Sequence, residues 1–390
     1  MKIVKIECIP ITVPFKKPVG LAYGEIKEQQ EVIVKIHTDT GIVGIGETGG
    51  ISTGYIGECQ DSIMELIKDY IGPMALIGED PFNIEKIVAE MDKIVKWNNQ
   101  AKAVIDFALY DIMGKALGVP VYKLIGGLSV EKIPLGWVLG AQEPEAMAEE
   151  AVERIESGFK YLKVKAGLLS PKRDIENVKA VREAVGDDVK IIVDVNTAWD
   201  LQTALTTLRE MEKYNIWVAE QPVPYWDVEG LRALRYRTNT LIMADEAIYE
   251  IWDLIKVIKA DAADLVFIKV VKAGGILKGK RWVSIAKAAG LPVICGCMMG
   301  CGIEAAAQAH FIAATEWMGR IPHQNLGPLH IHYVTESTGI KDDIVKELPR
   351  YEKGFLYVPN KPGLGVELND EIVEKYITKG KKPIVVEEHT

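Results

Sequence analysis

The first fifty-eight residues carry their apolar positions in long β-branched runs. KIVKIECIPITV and EVIVKIHTDTGIVGIGE read as strands, the second interrupted at Asp39-Thr40-Gly41 as a hairpin is. Two glycine-bearing stretches, 18–30 and 48–58, read as loops suited to closing over a pocket. From 59 to 118 the apolar period becomes helical, in NIEKIVAEMDKIVKW and AKAVIDFALYDIMGKALG, with Gly118 as a C-cap. Trp97-Asn98-Asn99 reads as a buried anchor followed by a turn. Strands followed by helices predict an α+β domain.

From about residue 130 the pattern changes. Short apolar runs alternate with amphipathic stretches: IPLGWVLG, KYLKVKAG, KIIVDVN, WVAEQP, TLIMADEA, ADLVFIKV, LPVICGCM and GPLHI. Fully apolar strands separated by helices predict a parallel sheet covered by helices. Eight such units over roughly 220 residues predict an α/β fold of the (β/α)8 barrel type, a doubly wound sheet being the alternative.

In a barrel the chemistry sits at the C-terminal ends of the strands. Those ends carry Lys163 and Lys165, then Asp194, Glu220, Asp245 and Lys269. The steps from Lys165 onward are 29, 26, 25 and 24 residues, one βα unit each. Any one of these residues alone could be an interior salt bridge, but six in register are hard to explain that way, because buried charge is rare unless paired or bound to metal. Two carboxylates about 4 Å apart repel by roughly 4 kcal/mol at an effective dielectric of about 20. A hard divalent cation relieves that repulsion, and all-oxygen ligation favours Mg²⁺, with Mn²⁺ possible, over zinc.

The formal charge of −9 leaves no footprint for nucleic acid or an anionic membrane. The N-terminus has no apolar signal core, and no apolar run approaches about twenty residues, so a cytoplasmic location is expected. Five cysteines, an odd number, predict free thiols in a reducing compartment. Cys295, Cys297 and Cys301 read as packing rather than a thiolate metal site, and His330 and His332 as structural or pocket-lining.

KVK (163–165), DVN (194–196), EQP (220–222), DE (245–246), KVVKAGG (269–275) and the tail VPNKPGLGVEL (358–368) together resemble the enolase superfamily, specifically its muconate lactonizing enzyme subgroup within the mandelate racemase/muconate lactonizing enzyme family. The resemblance implies an α+β capping domain over 1–125, completed by about 352–390, and a modified TIM barrel over 126–351. It implies Asp194, Glu220 and Asp245 as ligands of Mg²⁺, Lys165 and Lys269 as the acid/base pair, and Lys163 as an electrostatic helper beside a substrate carboxylate. The implied reaction is abstraction of a proton α to that carboxylate through a metal-stabilised enediolate, giving racemisation, epimerisation or cycloisomerisation of a small carboxylic acid. A syn-dehydratase is the alternative within the superfamily. For a lysine to act as base, neighbouring cations and burial are expected to lower its pKa toward about 7 to 8. The resemblance also implies a homo-oligomer.

Two places depart from the subgroup. A pattern like M-L-E-S-G-I-G reads Met298-Met299-Gly300-Cys301-Gly302-Ile303-Glu304 here, so a more open or less charged pocket wall is expected at Gly300. HQNLGPLHIH lacks the Asp-x-Asp pair of dipeptide epimerases, which disfavours a dipeptide substrate. Substrate contacts are expected from Asn196, Tyr23, Tyr55, Met298 and His323. A Schiff-base aldolase using Lys165 or Lys269 as nucleophile is a reading from another class. A non-catalytic barrel is a further one, but it would be expected to have lost some strand-end charges, and none is lost.

Overall fold

The computed structural model describes residues 1–21, 24–50, 53–319, 321–323 and 340–387. Alternating β-branched residues form β1 (Ile3–Leu21) and β2 (Gly24–Thr38), which pair antiparallel as one long hairpin. Most of 18–30 is therefore ladder rather than loop: Val19 pairs with Ile26 and Leu21 with Gly24. The prolines of this run are absorbed at a register shift between Pro14 and Val19, where a missing N–H costs the ladder little. Tyr23 lies outside the described residues. β3 (Val43–Glu47) extends the sheet on one side.

The helix Asn99–Leu117 is buried on every side from Asn99 to Gly114, because it crosses β3 where glycine lets the backbones meet. A Cβ on Gly44 would stand 2.1 Å from the Ala108 carbonyl oxygen, and one on Gly46 would stand 1.9 Å from that of Val104. Trp97 is exposed rather than an anchor. It and Asn98 both take left-handed backbone conformations, and these two residues make the expected turn.

The second half alternates strand and helix. β4 (Lys132–Pro134) leads into β5 (Trp137–Leu139), β6 (Tyr161–Lys165), β7 (Lys190–Asp194), β8 (Val218–Glu220), β9 (Leu241–Ala244), β10 (Leu265–Lys269) and β11 (Val293–Gly296). The strands β5 to β11 form a seven-stranded parallel sheet in consecutive order, the barrel of the modified TIM type, under an N-terminal α+β cap. The eighth apolar run, 327–331, lies outside the described residues. Inward-facing Tyr161, Ile192, Val218, Met243, Leu265, Phe267 and Ile294 pack together as the barrel floor. The chain then returns. β12 (Tyr351–Glu352) and β13 (Phe355–Tyr357) join β4, while β14 (Ile384–Glu387) pairs with β1 and completes the cap sheet in the order β14-β1-β2-β3. All five cysteines are free thiols, and among the described residues no helix is long and apolar enough to cross a membrane.

Candidate active site

Strand register sets the site. Lys165 pairs with Asp194 and Asp194 with Glu220 across β6, β7 and β8, so three charged side chains finish at one level of the sheet. Asp245 follows β9, and Lys269 closes β10. Lys163 and Lys165, two residues apart on β6, point to the same face. Lys163 Nζ lies 3.3 Å from Asp194 Oδ2 and is ion-paired with Glu220. Lys165 Nζ lies 2.7 Å from Asp194 Oδ2 and 2.6 Å from Asn196 Oδ1. On the other side, Lys269 Nζ lies 2.6 Å from Asp245 Oδ2 and touches the Tyr55 hydroxyl. Phe267 of the floor carries both cations above it, its ring centre 4.3 Å from Lys163 Nζ and 5.1 Å from Lys269 Nζ.

The strand exits hold these groups in place. Asn196, Thr197 and Gln221 adopt left-handed backbone conformations uncommon for residues with side chains. That turn lets Gln221 Oε1 accept from the N–H groups of Asp245 at 3.1 Å and Ala247 at 3.0 Å, tying the end of β8 to the end of β9. Asn196 Nδ2 donates to Glu246 Oε1 at 2.9 Å while its oxygen holds Lys165.

The charges answer one another. Burial raises the Asp194 pKa, but Lys165 and Lys163 outweigh it and hold the carboxyl below the usual range; Lys269 and Lys272 do the same, more strongly, for Asp245. Glu220 is pushed up to about 8 by burial and by the neighbouring Asp194 charge. Burial pulls Lys165 and Lys269 down, yet Asp194 for the first and Asp245 for the second outweigh it, so both are raised. Carboxylates, not cations, are the nearest charged neighbours of both lysines.

Two family models cover most of the sequence. One described as the mandelate racemase/muconate lactonizing enzyme N-terminal domain matches residues 4–126, and one described as an enolase C-terminal domain-like model matches residues 146–372. The chain belongs to the mandelate racemase/muconate lactonizing enzyme family. It is 36% identical to the N-succinyl-L-Arg/Lys racemase of Bacillus cereus over 384 residues, 96% of this chain and 98% of that protein. It is 32% identical to a chloromuconate cycloisomerase of Cupriavidus necator over 380 residues, 96% and 99% of the two chains. Among solved structures it matches a family protein of Azoarcus sp. EbN1 at 49% identity and a TM-score of 0.92, covering 99% of this chain and 100% of that one. It also matches a dipeptide epimerase of Enterococcus faecalis, solved with Mg and L-Leu-L-Tyr, at 36% identity and a TM-score of 0.85, covering 94% and 100%. Racemases, epimerases and cycloisomerases are isomerases, and this family member is an enzyme of that class.

Within this family member several expected contacts take other roles. Tyr55 does reach the site, its hydroxyl donating to Asp245 Oδ2 at 2.9 Å. Asn196 is held among Lys165, Glu246 and its own strand end. His323, expected at the substrate, is fully buried and committed on both ring nitrogens: Nδ1 accepts from the Cys295 N–H at 3.0 Å and Nε2 meets the Met318 carbonyl at 2.7 Å. Burial pushes its pKa down to about 4, so it is a neutral bridge between backbone segments. The Met298 backbone is spoken for, its N–H donating to Glu304 Oε1 at 3.0 Å and its carbonyl accepting from Gly50 at 2.9 Å.

Other residues were missed. Lys272, fully buried, lies 2.5 Å from Asp245 Oδ1 and 2.7 Å from the Asp245 carbonyl, and its three-residue spacing from Lys269 was the available signal. Glu246, beside Asp245, is buried with its Oε2 lacking a hydrogen-bond partner. At Gly300 the wall is not open. A Cβ there would stand 2.0 Å from Glu304 Oε2, so a carboxylate from one helical turn later fills that volume.

One more acidic group lies between cap and barrel, where Glu31, Glu47 and Cys301 bring ligand atoms within 4.8 Å of one another. Glu47 already accepts N–H groups from Cys301, from Ile303 at 3.1 Å and from Glu304 at 2.9 Å. That helix N-terminus is the positive end of a dipole, a setting for an anion rather than a cation. Burial, reinforced by the Glu31 charge, raises Glu47 well above the usual range, and burial pushes Glu31 up to about 7. Glu31 Oε2 is buried without a hydrogen-bond partner.

Proposed function

We propose that this enzyme racemises or epimerises a small carboxylic acid at the carbon α to its carboxylate, with Lys165 and Lys269 exchanging the proton on opposite faces. The carrying observation is the lysine arrangement: each lysine is joined to the outer carboxylate on its own side of the row Asp194, Glu220, Asp245.

The residues fit a divalent cation. The row supplies only hard oxygen donors, Glu246 Oε2 is an orphaned buried oxygen beside it, and Glu220 is ion-paired with Lys163 but lacks an aligned hydrogen bond. Asp194, Glu220 and Asp245 would hold Mg²⁺, which when bound supplies positive charge for the substrate carboxylate oxygens. Charge balance supports the reading. A divalent cation would favour the ionised form of Glu220 and Glu246 as well, so that four acid anions (Asp194, Glu220, Asp245, Glu246) face four lysines (163, 165, 269, 272). A divalent cation and a substrate carboxylate together add one positive charge, and a lysine that gives up its proton removes it. The lysine so deprotonated is the base; the opposite lysine, still an ammonium, donates the returning proton. Lys163, over the ring of Phe267, is placed to lie beside the substrate carboxylate.

The first substrates to test are N-acylated α-amino acids. The named racemase relative acts on N-succinyl-Arg/Lys, and the sequence at 323–332 lacks the Asp-x-Asp pair that would hold a dipeptide amine. Cycloisomerisation is the second reading, favoured by the cycloisomerase relative. Incubation in D₂O with a panel of N-acyl amino acids, followed by NMR, separates the two. Racemisation puts deuterium at the α-carbon with inversion and no change of skeleton. If Lys165→Ala and Lys269→Ala both exchange the proton as fast as the parent, the lysine assignment is wrong.

A further inference from the structure

Glu304 takes no part in the chemistry described so far, yet its carboxylate is fully buried and fully committed. The chain leaves β11 at Gly296 and turns, with Met299 in a left-handed conformation, into the helix Gly302–Ala313. From the first turn of that helix Glu304 folds back over the loop. It accepts from the N–H groups of Met298 at 3.0 Å and Gly300 at 2.7 Å, and from Gln308 Nε2 at 2.5 Å. The same oxygen marks where the cap meets the loop: a Cβ on Gly49 would stand 3.0 Å from Glu304 Oε2.

The loop is also sewn to the cap directly. Gly50 N–H donates to the Met298 carbonyl at 2.9 Å, and Gln29 Nε2 donates to the Met299 carbonyl at 2.5 Å. Further along the same cap segment, Tyr55 reaches Asp245 and Lys269. One carboxylate thus sets the loop after β11, and that loop sets the cap segment that touches the site.

We propose that Glu304 is a positioning residue for the reaction, and that the site needs a carboxylate at this point in space rather than at position 304 of the chain. The proposal rests on the barrel mouth being the active site. Because a side chain at 300 would enter the volume Glu304 now fills, the acid can be moved. Gly300→Glu alone forces two side chains into one place, 2.0 Å between its Cβ and the Glu304 oxygen, and Glu304→Gly alone leaves the Met298 and Gly300 amides without an acceptor. Together the two changes remove the Glu304 contacts and restore a carboxylate, with the far end of the Glu47 side chain, whose Oε1 lies 2.8 Å from the new Cβ, left to shift.

The test compares the parent, Glu304→Gln, Glu304→Gly, Gly300→Glu and the double variant Gly300→Glu/Glu304→Gly. Proton exchange is followed on the N-acyl amino acid that the parent turns over fastest, with backbone amide exchange at Gly50 and Gly300 as a readout that needs no substrate. Glu304→Gln, which keeps the volume, is expected to raise KM about tenfold with kcat nearly unchanged and to speed exchange of both amides. The double variant is expected to recover at least half of the loss in log kcat/KM seen in Glu304→Gly. Parental KM and parental amide protection in Glu304→Gln would overturn the proposal, as would a double variant no better than the worse single one. Failure of the active-site reading looks different, since Lys165→Ala would then keep exchanging the α-proton whatever the amides at Gly50 and Gly300 do.

Discussion

Among the described residues, two fully buried acidic clusters are neutralised in opposite ways. At the barrel mouth, Asp194, Glu220 and Asp245 face ammonium groups on flexible stems. Between cap and barrel, Glu31, Glu47 and Glu304 face backbone N–H groups, two glutamines and one another. Side-chain cations can withdraw, change protonation or yield to an ion, whereas amides fixed by the main chain cannot. The first cluster is therefore built to exchange partners and the second to hold two layers in register. An acid count alone does not tell the two apart; the identity of the neutralising group does.

That contrast can be broken by mutation. The largest expected effect is on turnover: Lys165→Ala or Lys269→Ala should lower kcat for α-proton exchange by about 10²- to 10⁴-fold, while Glu47→Gln should leave the chemical step within about threefold. Equal losses in both would erase the distinction. Next comes stability. Lys272→Met strands the buried Asp245 Oδ1 and should cost about 3–5 kcal/mol in urea unfolding, since breaking a buried pair leaves an uncompensated charge.

Ion binding gives a third and smaller effect. Mg²⁺ at about a hundredfold over its Kd should stabilise the protein by about 2.7 kcal/mol, seen as a rise in Tm. Asp194→Asn should abolish the rise and Glu47→Gln should keep it; the reverse result would move the ion to the group between cap and barrel. The smallest effect is in pH dependence. The Glu31 carboxyl, raised by burial to about 7, is protonated in the folded protein and ionised in the unfolded one between its ordinary value and 7. Its contribution is complete below about 4.5 and is lost as pH rises through 7, with a slope of at most about 1.4 kcal/mol per pH unit. Glu31→Gln should flatten that part of the stability curve, and an unchanged slope would assign the titration elsewhere.

How much of this was legible in the sequence follows from what fixes each residue. Asp194, Glu220, Asp245 and Lys269 were readable because a parallel barrel repeats its strand ends at near-constant spacing, and charge there stands out against apolar strands. Lys272 hid in a short helix directly after β10, where a lysine looks solvent-facing. Gly300 was read as an opening because a missing side chain looks like space, and only the fold brings Glu304 back into it. His323 reads as a substrate contact in the sequence because a lone imidazole there carries no mark of the carbonyl and amide that consume its nitrogens. The 18–30 stretch reads as a loop in the sequence because glycine and proline break a short strand, whereas this long ladder absorbs them at a register shift.

The pairing of β14 with β1 has a consequence in time. β1 waits for β14, some 360 residues further along the chain, before its outer edge is covered. At about 5–20 residues per second that interval is roughly 20 to 70 s. During it the nascent β1–β2 hairpin offers an open edge, and synthesis of β14 becomes the event that seals the cap.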